Sequence, residues 1–91
     1  MSDFDANTLE APTATAVLEH IVRSIVDDAD AVSVSSLPGK GDKVLLEVRV
    51  GPGDLGRVIG RRGRTAQSIR TVVRAAAVND DVEVDVDFVD A

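Results

Sequence analysis

Gly60 and Gly63 stand three residues apart between two stretches of helical periodicity, so this chain must pass from one helix to the next through a four-residue turn, Gly60-Arg61-Arg62-Gly63. Before the turn, Leu55, Val58 and Ile59 share one face of a helix of barely two turns, for which Asp54 is a candidate cap. After it, Ala66, Ile69, Val73 and Ala77 recur at helical spacing to about Val78, with Gln67, Arg70 and Arg74 along one flank. Glycine lets the backbone turn tightly and lets a ligand's own backbone approach. The second helix starts at the turn, so its first amides and the positive end of its dipole face the same spot.

Charge sharpens this picture. The chain of 91 residues carries a formal charge of -6, which argues against a polyanionic partner. Yet Arg57, Arg61, Arg62, Arg64, Arg70 and Arg74 place six of the ten basic residues in a window, 57–74, that holds no acid. That window is +6, and the rest of the chain is 4 - 16 = -12. An acidic body with one cationic patch steers a polyanion to the patch and repels it elsewhere.

The remaining elements follow from pattern. Residues 1–12 are acidic and aperiodic and are expected to form a disordered tail, leaving 13–91 as one domain. From about Thr13 to Asp28, Val17, Leu18, Ile21, Val22, Ile25 and Val26 mark an amphipathic helix, with Thr13 or Thr15 as its cap. Val32 and Val34 suggest a short strand. Val44, Leu46, Val48 and Val50 give a firmer one, and Val82, Val84, Val86 and Phe88 alternate with acids in a third. The order αββααβ predicts an α+β fold: a hairpin, then a parallel crossover, hence a mixed three-stranded sheet with helices on one face.

On these residues the chain resembles a KH domain. Val58-Ile59-Gly60-Arg61-Arg62-Gly63-Arg64-Thr65-Ala66-Gln67-Ser68-Ile69-Arg70 looks like the KH signature, in which a GXXG loop clamps about four backbone nucleotides. The element order matches the type II form, and the stretch from Leu18 to Phe88 is similar to the KhpA family of small bacterial KH proteins. Family members usually carry lysine and a small or basic residue in the loop. Arg61-Arg62 departs from that but keeps the charge.

The resemblance implies a cytoplasmic, single-stranded RNA-binding regulator or RNA chaperone that forms homodimers or pairs with a second KH protein, KhpB, in work tied to cell shape and envelope synthesis. It implies that Gly60, Arg61, Arg62 and Gly63, with Arg57, Arg64, Gln67, Arg70 and Arg74, hold the RNA backbone, while Val58, Ile59 and Ile69 line the base groove. The rival reading is an interaction module whose RNA contact is weak or supplied by its partner. Leu45, on an otherwise polar strand face, hints at such a surface.

Other chemistries find little support. Gly51-Pro52-Gly53-Asp54-Leu55-Gly56 spells the dinucleotide fingerprint, but arginines fill the region where its ribose-binding acid belongs, and the helix is too short. His20, the single histidine, has no ligand cluster and is expected on an exposed helix face; Asp27, Asp28 and Asp30 read as a solvated turn. No enzyme activity, metal or small-molecule cofactor is expected. The lack of cysteine, of a signal-like start and of a long apolar run fits a soluble cytoplasmic protein without a membrane partner. With two Phe and neither Trp nor Tyr, no aromatic platform for base stacking is foreseen.

Overall fold

The computed structural model describes residues 10–90. Helix α1 spans Pro12–Ile25, strand β1 Ser33–Pro38 and strand β2 Val44–Val50. Helix α2 spans Leu55–Ile59, helix α3 Arg64–Ala77 and strand β3 Val84–Asp90, with single 3-10 turns at Ala29–Ala31, Arg61–Gly63 and Val78–Asp80. The sheet order is β1-β2-β3. β1 runs antiparallel and β3 parallel to the central β2. This is the mixed sheet that the element order implied, and the parallel pair follows from the α2–α3 crossover between β2 and β3.

Period-2 alternation sends Val44, Leu46, Val48 and Val50 of β2, and Val84, Val86 and Phe88 of β3, to the helical side. They meet Leu18 and Val22 of α1, Val58 of α2 and Ala66, Ile69, Val73 and Ala77 of α3 in one core. Each large side chain fully buried there contributes about 1.5–3 kcal/mol relative to exposure. The other sheet face carries Ser33, Ser35, Glu47, Arg49, Asp85 and Asp87, with Leu37 directly opposite Leu45 in the β1–β2 register.

The first helix differs from expectation at both ends. It begins at Pro12, whose fixed φ suits a first turn, and Ala11 ahead of it is buried. Residues 1–9 of the expected tail lie outside the described residues. Neither Thr13 nor Thr15 caps the helix. Instead the amides of Thr13 and Ala14 donate to the two carboxylate oxygens of Asp80, at 3.0 and 2.9 Å, from more than sixty residues away. At the other end the helix stops at Ile25 rather than Asp28, and Val26 is extended with ψ 161°. That early stop frees the amides of Asp27 and Asp28 for a long-range partner, Asp54.

Candidate nucleic-acid interface

β2 ends in a turn closed by the Asp54 amide on the Gly51 carbonyl, 3.1 Å, and α2 starts at once. Asp54 does not cap α2 with its side chain as its position suggested. Its buried carboxylate points the other way and accepts the amides of Asp27 and Asp28, both at 3.1 Å. These two amides, helped by the Arg57 guanidinium, hold the carboxyl below the usual aspartate range against the opposing effect of burial. Arg57 completes the latch, with Nε 3.3 Å from Asp54 and Nη2 2.8 Å from Asp27. The start of α2 is thereby tied to the end of α1.

α2 runs five residues and terminates at Gly60, whose amide bonds to Gly56 O at 2.9 Å. Gly60 has φ 74° and ψ 176°, a region that only glycine enters without strain. A Cβ there would also overlap the Thr65 hydroxyl and lie 3.0 Å from the Thr65 amide nitrogen. Arg62 follows at φ 58° and Gly63 at φ 72°, while the Gly63 amide closes the turn on Gly60 O at 3.2 Å. Holding an arginine in the left-handed region costs about 1–2 kcal/mol. Strain of this kind collects at ligand clamps. α3 then begins at Arg64 with no side-chain cap.

The six arginines of the basic window divide in two. Arg61, Arg62 and Arg64 are exposed at the loop and form no ion pair or side-chain hydrogen bond with the described residues. Arg57 is spent on Asp54 and Asp27, and Arg74 faces Asp85 at 3.6 Å. Arg70 lies between these cases. It turns from α3 to the open edge of β3, where Nε donates to the Val86 carbonyl at 3.2 Å and the guanidinium sits 5.2 Å from the centre of the Phe88 ring. Four of the six charges, 6 - 2, are thus unopposed by a carboxylate. Gln67 is exposed on the same flank.

The three apolar groove candidates also separate. Val58 and Ile69 are core residues, at 0% and 4% exposure, whereas Ile59 is half-buried at the mouth of the loop. Sequence reasoning did not foresee the latch role of Asp54, the lock of Thr65 on Gly60 or the ring of Phe88 beneath Arg70. For Asp54 a signal existed: it is the single acid between Glu47 and Asp80. Among the described residues no His, Asp and Glu gather into a metal-binding group, and no helix is long and apolar enough to cross a membrane.

Two helices joined by a strained Gly-Arg-Arg-Gly turn, beside the open edge of a parallel strand, coincide with a family match. The profile of the KhpA/KhpB KH domain covers residues 15–88. The chain belongs to this KH-domain family. It is 45% identical over 73 residues to an RNA-binding protein KhpA of Clostridium acetobutylicum, covering 80% of this chain and 96% of that protein. It is 59% identical over 58 residues to the KhpA of Streptomyces coelicolor, covering 64% and 72%, and 54% identical over 69 residues to that of Leifsonia xyli, covering 76% and 90%. These relatives are named as RNA-binding proteins and not as enzymes. The αββααβ order and mixed sheet are those of a type II KH fold.

Proposed function

We propose that this domain binds single-stranded RNA by its sugar-phosphate backbone, with Gly60-Arg61-Arg62-Gly63 as the clamp and Arg64 and Gln67 extending it along α3. The observation that carries the reading is the loop itself: a glycine-only conformation at Gly60, followed by exposed Arg61, Arg62 and Arg64 that no acid neutralises. Three unpaired guanidiniums beside the first turn of a 14-residue helix give a site for consecutive phosphates. Such contacts position the strand and leave sequence to be read in the adjacent groove, between Ile59 and the β3 edge. Arg57 and Arg74 add to the field but are already engaged.

In the cell this activity is that of a cytoplasmic RNA chaperone or post-transcriptional regulator. It works as a homodimer or with a KhpB-like KH protein, so that two weak sites act together through effective concentration. One observation favours a second role as an interaction module: Leu37, 39% exposed, pairs with Leu45 on the outer sheet face, away from the loop.

Fluorescence anisotropy of a labelled single-stranded RNA pool, at low and moderate salt, tests the clamp against Arg61→Asp/Arg62→Asp. Circular dichroism confirms that the variant is folded. Wild type is expected to bind with a salt-dependent affinity that the folded variant loses. Equal binding by both proteins removes the loop from the account.

A further inference from the structure

The open edge of β3 is where the structure says more than the loop does. Arg70 Nε donates to the outward carbonyl of Val86. In a parallel strand the backbone groups of alternate residues face the same side, so those of Val84, Val86 and Phe88 all point away from β2. Arg70 therefore spans from α3 to an unpaired strand edge, two helical turns or about 10 Å along the axis from Gly63. Its guanidinium rests over the Phe88 ring and has lost much of its freedom before any ligand arrives.

The guanidinium has five N–H donors in a fixed fork. Nε uses one, and no Nη donor has a partner among the described residues. The remaining fork is held at the open edge of β3, between the Val86 carbonyl and the Phe88 ring. Charge alone would need no such placement, since Arg61, Arg62 and Arg64 stay exposed and unanchored. A positioned fork of donors matches a partner with two adjacent acceptors. Among nucleobases, guanine offers O6 and N7 and cytosine offers O2 and N3. Adenine and uracil set a donor beside each acceptor on the corresponding edges.

Building on the RNA reading above, we propose that Arg70 is the specificity-determining residue of this domain. Held by the Val86 carbonyl and the Phe88 ring, it selects a single-stranded base with two adjacent acceptors, and Arg61, Arg62 and Arg64 grip the phosphates without regard to sequence. Cytosine and guanine share that chemistry, and the test separates them.

The probes are a short oligouridine and three derivatives with one central C, G or A, titrated into wild type and Arg70→Lys. Lysine keeps the charge and removes the fork. Wild type is expected to favour the C or the G derivative by about 5- to 150-fold over the U and A strands, the range for one bidentate base contact. Arg70→Lys is expected to bring that ratio near unity. A ratio that survives in Arg70→Lys, or four equal affinities in wild type, overturns the assignment while leaving the RNA clamp standing. If none of the four strands binds, the RNA reading itself has failed and this inference falls with it. A second measurement needs no variant: the Arg70 Nη resonances of wild type should shift with the preferred strand and not with oligouridine. Nη resonances unmoved by the tightest strand overturn the proposal.

Discussion

At the loop end of the molecule, Asp54 accepts the amides of Asp27 and Asp28, and a positive-φ turn at Gly60–Gly63 follows one short helix later. At the opposite end, Asp80 accepts the amides of Thr13 and Ala14, and a positive-φ glycine, Gly41, sits in the β1–β2 turn. The devices are alike, but their surroundings differ. Gly60 is locked against Thr65, whereas nothing lies within 4 Å of a Cβ built on Gly41. Arg61, Arg62 and Arg64 have no carboxylate partner, whereas Lys40 and Lys43 share a groove with Glu10, Asp42, Asp81 and Glu83. Each end holds one left-handed non-glycine residue, Arg62 and Asp81, so the contrast lies in the locked Gly60 and the unopposed charge at one end against an open Gly41 and mixed charge at the other. On the proposed function, that contrast separates a binding end from a merely closed one.

The largest effect expected from this contrast is steric. Gly60→Ala must leave a glycine-only backbone region and displace Thr65, so it should cost about 3 kcal/mol or more in chemical denaturation. Gly41→Ala meets open space and carries only the left-handed penalty of about 1–2 kcal/mol. Similar costs at the two sites would break the comparison, since the loop would then be no more constrained than an ordinary hairpin turn.

The next effect concerns the two carboxylates. Both pKa values are lowered in the folded protein: Asp54 chiefly by the amides of Asp27 and Asp28, Asp80 by those of Ala14 and Thr13, which outweigh desolvation. A depressed carboxyl stabilises the fold above the unfolded value, near 4, and that stability drains away as pH falls below it through the folded value. Denaturation midpoints should therefore hold from neutral pH to about 4 and fall below it. Asp54→Asn and Asp80→Asn should each lower the midpoint at neutral pH and flatten its acid dependence. The sharper distinction is functional: Asp54→Asn loosens the start of α2 and should weaken RNA binding by the folded fraction, while Asp80→Asn should leave that fraction's affinity alone. Equal losses would mean that Asp54 has no special hold on the loop.

Much of this is legible in the sequence. The alternation in β2 and β3 and the spacing of Ala66, Ile69, Val73 and Ala77 are local signals, and the structure buries each of these α3 residues as read. The two misread caps share a cause. Thr13 and Asp54 lie where local capping chemistry would place a cap, but the actual partners are 67 and 26–27 residues away. Pairings of that kind depend on how the helices and sheet pack, which no window of sequence contains. The same limit applies to the basic window. Its six arginines look equivalent in sequence, yet Arg57 and Arg74 meet acids delivered from α1's exit and from β3, and Arg70 meets a strand edge.

The smallest effect expected counts those charges. Each phosphate contact to a single strand contributes about 0.7 to the slope of log affinity against log salt. Arg61→Gln removes an exposed, unpaired guanidinium and should lower the slope by about that amount. Arg57→Gln removes one already opposed by Asp27 and Asp54, and it also leaves those two carboxylates uncompensated near the loop. Its signature should therefore be different in kind: a modest, nearly uniform loss of affinity from added repulsion, with less change in slope than Arg61→Gln. Anisotropy titrations of one oligonucleotide at several salt concentrations separate the two. If Arg57→Gln lowers the slope as far as Arg61→Gln does, the latch opens on binding and Arg57 exchanges its aspartates for phosphate, which would make the α1–α2 junction part of the clamp rather than its anchor.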